Sequence, residues 1–277
     1  MKIGIIGLGL IGGSMAKSIK AHTENAVLGF DTNSETLTKA HLIHAIDDVL
    51  TVKNLSECDI VMIAIAPKAT LNWVAENAPH LEGTVLIDLC GIKRYLHDDI
   101  SHLAQENGFT YIGGHPMAGK EVSGFENASD QLFSGASMIL TPDSASKIDD
   151  LEYLKHFFLE TGFEKVTFAS CEEHDRIISY TSQLAHITSS AYIKSPTAQI
   201  HSGFSAGSYK DMTRVAKLDE ELWTDLMLGN ADFLAGELTL LIENLNKYLE
   251  ALKAGDAQAL KELLKEGRLK KLTAGGD

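Results

Sequence analysis

The chain reads as an α/β domain over residues 1–169 followed by an all-α domain over 170–277. Through the first 169 residues short apolar runs alternate with helix-compatible stretches, the pattern of a parallel sheet covered by helices. From Ser170 onward no convincing strand is found. A glycine-rich loop also follows the first apolar run directly, where a strand would pass into a helix.

The expected strands are Lys2–Ile6, Ala26–Phe30, Ile60–Ile65, Val85–Asp88, Thr110–Ile112, Ala136–Leu140 and Lys165–Phe168. Between them helices are expected near Leu10–Lys20, Ser34–His41, Ala69–Ala78, Arg94–Asn107 and Ser146–Glu160. Pro67 suits the first turn of a helix. In the second half a helix should run from about Glu172 to Ile193, closed by Ser195-Pro196. A Ser/Gly loop spans Ser202–Ser208. One long helix is expected from Glu220 to Leu252, its apolar residues recurring at steps near three, four or seven. A final amphipathic helix covers Ala257–Leu272, and Thr273–Asp277 should be disordered. The long apolar stripe needs a partner, and a second copy of the chain is the expected one, giving a helical dimerisation domain and a homodimer.

Composition narrows the function. A hydrophobic share of 44% and a charged share of 22% are those of a globular protein. The formal net charge of −14 argues against a nucleic-acid surface and against an anionic membrane. Any anionic substrate would therefore need a local basic site. Cys58, Cys90 and Cys171 are far apart, which fits reduced thiols in the cytoplasm. The eleven histidines form no HxxxH or HExxH arrangement, so no metal is expected. The apolar run after Lys2 carries five glycines and no clean cleavage site, so it reads as structure rather than a leader. No stretch approaches the length of a membrane span.

The glycine loop is Gly7-Leu8-Gly9-Leu10-Ile11-Gly12. Gly7 would permit a tight turn, Gly9 would let the backbone approach a pyrophosphate, and Gly12 would allow close helix–strand contact. The anion would lie at a helix N-terminus, where free N–H groups and the dipole favour it. Alone, such a loop could be a glycine turn that merely packs well. Asp31, at the end of the next strand, points to a Rossmann-type dinucleotide site. A carboxylate there can accept from ribose hydroxyls and repel a 2′-phosphate, which selects NAD as cofactor.

A second constellation is Gly113-Gly114-His115-Pro116-Met117-Ala118-Gly119-Lys120-Glu121. It follows a predicted strand, at the sheet edge where open α/β folds bind ligands. Pro116 pushes His115 toward an extended conformation, and an imidazole there can take a proton near neutral pH. A third is Tyr209-Lys210-Asp211-Met212-Thr213-Arg214, expected to start a short helix capped by Asp211. The chain has only four arginines, so Arg214 beside Lys210 is a candidate for carboxylate capture as well as a solvated charged face.

At these residues the sequence resembles the prephenate/arogenate dehydrogenase family, along nearly its whole length. The His-Pro-Met-Ala-Gly-Lys-Glu block and the Lys-Asp-Met-Thr-Arg-Val-Ala segment followed by Trp223 carry the resemblance. It implies that NAD⁺ takes a hydride from the ring carbinol of prephenate while His115 accepts the hydroxyl proton. Loss of CO₂ then gives 4-hydroxyphenylpyruvate, a tyrosine precursor. It also implies that Arg214 binds a substrate carboxylate, and that Lys93, His186, Lys210 and Trp223 belong to the site. Such enzymes are dimers through the helical domain. Some positions depart from the family. Gly91 stands where a serine that bonds the carbinol and the histidine is common, with Cys90 a weak substitute donor at best. Gln183 and Ala185 replace the usual His and Pro before His186. Prephenate and arogenate therefore stay open as substrates, beside another NAD-dependent dehydrogenase on the same plan and a non-catalytic NAD-sensing dimer.

Overall fold

The computed structural model describes residues 1–143 and 146–275. Two compact units are present, Met1–Asn230 and Ala231–Asp277.

The first unit opens with β1 (Lys2–Ile6), α1 (Leu10–His22), β2 (Ala26–Phe30), α2 (Ser34–Leu42), β3 (Asp48–Val49) and α3 (Val52–Leu55). There follow β4 (Ile60–Ile63), α4 (Pro67–Asn77), β5 (Val85–Asp88), α5 (Arg94–Asn107) and β6 (Thr110–Pro116). The sheet is completed by β7 (Ser137–Pro142), α6 (Ile148–Glu160) and β8 (Lys165–Phe168), in the order β3-β2-β1-β4-β5-β6-β7-β8. Successive residues of a strand face opposite layers. Ile3 and Ile5 of β1 join one core and Ile6 the other, and Ile60 and Met62 of β4 alternate with Val61 and Ile63 in the same way. Both faces are buried, which is why the strands read as continuous apolar runs.

One strand departs from the parallel sheet that alternation predicts. β7 runs antiparallel to β6, with His115 opposite Ile139. The segment between them holds only a short 3₁₀ turn, Phe125–Asn127, and no crossover helix to bring the chain back in parallel. β6 is also longer than expected. The extended backbone before Pro116 continues the strand, so His115 lies within its last residues rather than in a loop.

Beyond the sheet come α7 (Cys171–Ile178), a π-helical turn over Ser179–Gln183, α8 (Leu184–Tyr192), α9 (Gly207–Thr213), a 3₁₀ turn over Arg214–Ala216 and α10 (Glu220–Leu228). Asp211 lies inside α9, not at its N-cap, which is Ala206. The second unit is α11 (Ala231–Ala254) and α12 (Ala257–Ala274). The single long helix expected from Glu220 is thus broken at Gly229-Asn230. A Cβ at Gly229 would fall 2.4 Å from Ile92 Cδ1, and Asn230 is fully buried with its side chain hydrogen-bonded. Thr273 and Ala274 are helical rather than disordered, and Gly276 and Asp277, expected to be disordered, lie outside the described residues. No described helix is long and apolar enough to cross a membrane.

A polar knot sits at the carboxyl end of β5. Asp88 and Lys93 are both fully buried, with Lys93 Nζ 2.5 Å from Asp88 Oδ1 and donating to Gly114 O at 2.5 Å. Tyr111 donates its hydroxyl to Asp88 Oδ2 at 2.9 Å, and the Cys90 N–H donates to Oδ1 at 2.9 Å. Burial and the Asp88 carboxylate together push the Tyr111 phenol well above its usual range, so it remains a donor. An enclosed charge pair of this kind is costly to break from one side. Lys93→Met should lower stability by about 3–5 kcal/mol in urea unfolding, with part recovered when Asp88→Asn is added. A loss below about 1 kcal/mol, the value of an exposed pair, would show that the knot is not the anchor described.

Candidate functional site

The glycine loop joins β1 to α1. Gly7 has φ +85°, and a Cβ there would lie 2.5 Å from Ile65 Cγ2 and 2.7 Å from Ala64 O. A Cβ at Gly12 would lie 1.8 Å from Gly7 O, so only glycine lets the helix start this close to the turn. At Gly9 nothing stands within 4 Å of an added Cβ. Gly9 is also the N-cap of α1 and makes no side-chain cap, so the first N–H groups of the helix are open to an anion. Asp31 lies just past β2. Its Oδ2 accepts from Leu8 N at 2.8 Å and its Oδ1 from Asn33 N at 2.9 Å, which ties the glycine loop to the end of β2. Leu8 is buried beneath the loop, while Leu10 and Ile11 are partly exposed at its surface. These residues fit a dinucleotide: an uncluttered cradle at a helix N-terminus, with a fixed carboxylate at the neighbouring strand end.

His115 is held at the end of β6 by a chain of hydrogen bonds. Its Nδ1 lies 2.8 Å from His174 Nε2, and His174 Nδ1 lies 2.7 Å from Asp175 Oδ1. Asp175 is fully buried and also accepts from the backbone N–H groups of Lys93 and Arg94, at 2.8 and 2.9 Å. Burial opposes ionisation, but the His174 and backbone donors outweigh it and hold the carboxyl below its usual range. The tautomers follow from this end. Ionised Asp175 accepts a hydrogen bond from His174 Nδ1–H, so His174 Nε2 presents a lone pair to His115 Nδ1–H. The free lone pair of the system is then on His115 Nε2. Burial, His174 and the Lys93 ammonium hold His115 well below the ordinary histidine range, and burial likewise lowers His174. A neutral imidazole with one free basic nitrogen can accept a proton.

Gly91 borders that nitrogen, and Leu226 borders Gly91. A Cβ built on Gly91 would lie 3.9 Å from His115 Nε2 and 3.4 Å from Leu226 Cδ2. Cys90 does not replace the missing hydroxyl. Its buried thiol donates to Ile65 O at 3.4 Å, and its pKa is pushed up to about 12, chiefly by burial. Lys93, expected among the catalytic residues, is wholly enclosed. Its ammonium donates to the Gly114 carbonyl one residue before His115.

A second cluster lies on α8, α10 and the turn after α9. Arg214 pairs with Glu121, which belongs to the segment following His115. α8 packs on the Arg214–Ala216 turn. On α8, His186 bonds the Ser182 carbonyl through Nδ1 at 2.9 Å and stacks on Trp223 of α10, with ring centroids 3.7 Å apart and planes at 29°. Burial and Arg214 lower the His186 pKa, which keeps the ring neutral. Lys210 is exposed on α9, one helical turn before Arg214. Trp223 and Leu226 are three residues apart on α10, so one helix face reaches both His186 and the neighbourhood of the base. Among the described residues no group of three or more His, Cys, Asp and Glu could hold a metal ion.

Sequence reasoning missed His174, Asp175 and Leu226. In α7 His174, Asp175 and Ile178 are the buried residues, so a histidine and a carboxylate occupy the apolar face of the helix. That misplaced polarity, at helical spacing from Ile178, was the available signal.

Comparison with known proteins bears on the whole chain. Residues 15–167 match the family model "Prephenate dehydrogenase, nucleotide-binding domain", and residues 170–266 match "Prephenate dehydrogenase, dimerization domain". The chain is 31% identical to cyclohexadienyl dehydrogenase of Zymomonas mobilis, covering 98% of this chain and 94% of that protein. It is 34% identical to prephenate dehydrogenase of Lactococcus lactis, over 96% of this chain and 75% of the other. Among solved structures it superposes on prephenate dehydrogenase from A. aeolicus in complex with hydroxyphenyl propionate and NAD⁺. That match has a TM-score of 0.84 and 27% identity, and covers 99% of this chain and 98% of that one. With both halves matched in order, the chain belongs to the prephenate dehydrogenase family.

Proposed function

We propose that the chain catalyses the NAD-dependent oxidative decarboxylation of prephenate to 4-hydroxyphenylpyruvate, a step toward tyrosine. The observation that carries this reading is the relay Asp175–His174–His115, which leaves one basic nitrogen, His115 Nε2, beside Gly91. Gly7, Leu8, Gly9, Leu10, Ile11 and Gly12 would hold the cofactor phosphates and Asp31 its ribose. NAD⁺ supplies the hydride acceptor when bound. His115 Nε2 takes the carbinol proton, and the Asp175 carboxylate, acting through His174, stabilises the imidazolium that results. Arg214 binds a substrate carboxylate by its planar fork, in place of Glu121, and Lys210 adds a second positive charge. His186 and Trp223 form a stacked wall against which the ring is oriented. Aromatisation drives loss of CO₂, so the protein has mainly to orient the carbinol and hold the carboxylates.

Arogenate is the second reading. It carries an ammonium group, and the Glu121 carboxylate beside Arg214 favours it as a counter-ion. A homodimer is proposed through the helical half. In the second unit Leu240, Leu245, Leu249, Leu252, Leu264 and Leu272 are 46–70% exposed, more apolar surface than a solitary hairpin leaves uncovered.

The deciding measurement supplies NAD⁺ or NADP⁺ with prephenate or arogenate and follows absorbance of the reduced cofactor. Turnover with NAD⁺ and prephenate is expected, and no turnover in any combination would leave the chain a non-catalytic NAD-binding dimer. His115→Asn should lower kcat by about 10²–10⁴-fold with NAD⁺ binding intact. Retained turnover would remove the base role. Arg214→Ala should raise the KM for prephenate about tenfold or more with a smaller change in kcat. An unchanged KM would reassign the residue to structure. The pH dependence has a definite sign. Because His115 is held down, the base stays neutral at pH values where a free histidine is already protonated. The acid limb of kcat/KM should therefore fall below the ordinary histidine range. Stability should decline in the same direction, since below the unfolded-state histidine pKa the unfolded chain takes up protons that the folded one refuses. An acid limb at or above the ordinary range would contradict the relay.

A further inference from the structure

We infer that Gln183 is a positioning residue for the substrate pocket, its amide holding the end of α10 that places Leu226 against Gly91, the residue next to the basic nitrogen of His115. The inference rests on the dehydrogenase reading above. Gln183 closes the π-helical turn and is buried, at 2% exposure. A π turn carries one residue more than the α-helix around it, and such turns mark functional sites in many helices.

Both ends of the amide are used. Nε2 donates to Leu226 O at 3.0 Å, and Oε1 accepts from Asn230 Nδ2 at 2.9 Å. The Leu226 carbonyl is one of the last four of α10, which a helix leaves without intrahelical donors. The Asn230 N–H turns to Met227 O and the Gly229 N–H to Asp225 O, so Gln183 supplies the donor that Leu226 needs. Asn230 continues the network, donating to Asp175 O at 2.8 Å and accepting from Arg94 Nη2 at 3.1 Å. The residue whose carboxylate orients the relay is therefore linked, through Asn230 and Gln183, to the backbone of Leu226.

What this fixes is a wall. Leu226 Cδ2 and Cδ1 lie 3.4 and 3.7 Å from the point a Cβ at Gly91 would occupy, itself 3.9 Å from His115 Nε2. Leu226 thus presents methyl groups where a side chain at position 91 would otherwise border the base. Trp223, three residues earlier, is carried to His186 by the same helix. An apolar cover at that place suits an uncharged ring carbon bearing a hydroxyl, and it keeps water from competing for the base.

The test uses the full-length chain in a Trp73→Phe background, which leaves Trp223 as the one tryptophan. Gln183→Met keeps the volume and removes both hydrogen bonds. It should raise the KM for prephenate about tenfold, as for one buried hydrogen bond lost, with the KM for NAD⁺ and the acid limb of the pH profile unchanged. Acrylamide quenching of Trp223 fluorescence should increase in the same variant. Gln183→His, whose ring carries one donor and one acceptor, should recover much of the KM. A folded Gln183→Met with parental KM and parental quenching would overturn the inference. Should that variant fail to fold, Leu226→Ala decides: it should raise the prephenate KM while Trp223 quenching stays parental, and an unchanged KM would equally overturn it. The quenching arm needs no turnover. If the parent fails to oxidise prephenate, the functional reading falls, while the hold of Gln183 on α10 is still judged by Trp223.

Discussion

The Asp175 carboxylate is the group on which the rest of the site depends. It is fully buried and ionised, and three donors from two elements converge on it: the N–H groups of Lys93 and Arg94 at the start of α5, and His174 Nδ1 on α7. Those bonds offset the cost of enclosing a charge, and they join the helical half to the carboxyl edge of the sheet. His174 is oriented by Asp175, and His115 by His174. From behind, the Lys93 ammonium holds the Gly114 carbonyl and so the backbone that leads into His115. Lys93 contributes twice, with its N–H to Asp175 and its ammonium to the Asp88 knot. His115 is fixed through its ring and through its main chain by one continuous set of polar bonds.

The electrostatics of the site run against those of the chain. A net charge of −14 repels a dianionic substrate at long range, and Debye screening limits that repulsion to about 10 Å at ordinary salt. At closer range Arg214 is paired with Glu121 and Lys210 is exposed one helical turn before it. In the proposed function these two residues are the local basic site that the composition calls for.

Much of this was legible in the sequence because it depends on local rules. The parallel strands, the Pro67 start of α4 and the full extent of α5 follow from periodicity and helix-end chemistry, and the glycine loop is visible from spacing. The features that escaped depend on tertiary contact. β3 has two residues, too few to show a period. The antiparallel β7 depends on a connection without a crossover helix. The break at Gly229-Asn230 interrupts a helical pattern that continues unaltered through it, because Asn230 is drawn inward by Asp175 and Gln183, distant in sequence. His174 and Asp175 sit in a run of charged residues that reads as a solvated first turn of a helix. The departure at Gly91 was plain in the sequence, but its neighbour Leu226 could be found only in space.

The enclosure of the relay has a kinetic consequence. His174 and Asp175 are shut off from solvent, and the Asp175 carboxylate accepts from His174 Nδ1 and from the Lys93 and Arg94 N–H groups. In the proposed reaction a proton taken up at His115 Nε2 has no rear exit, since His174 and Asp175 behind it are buried. On that reading it leaves from the same side of the imidazole that received it. Resetting the proposed base for another cycle would then share one face of the ring with arrival of the substrate and departure of the product.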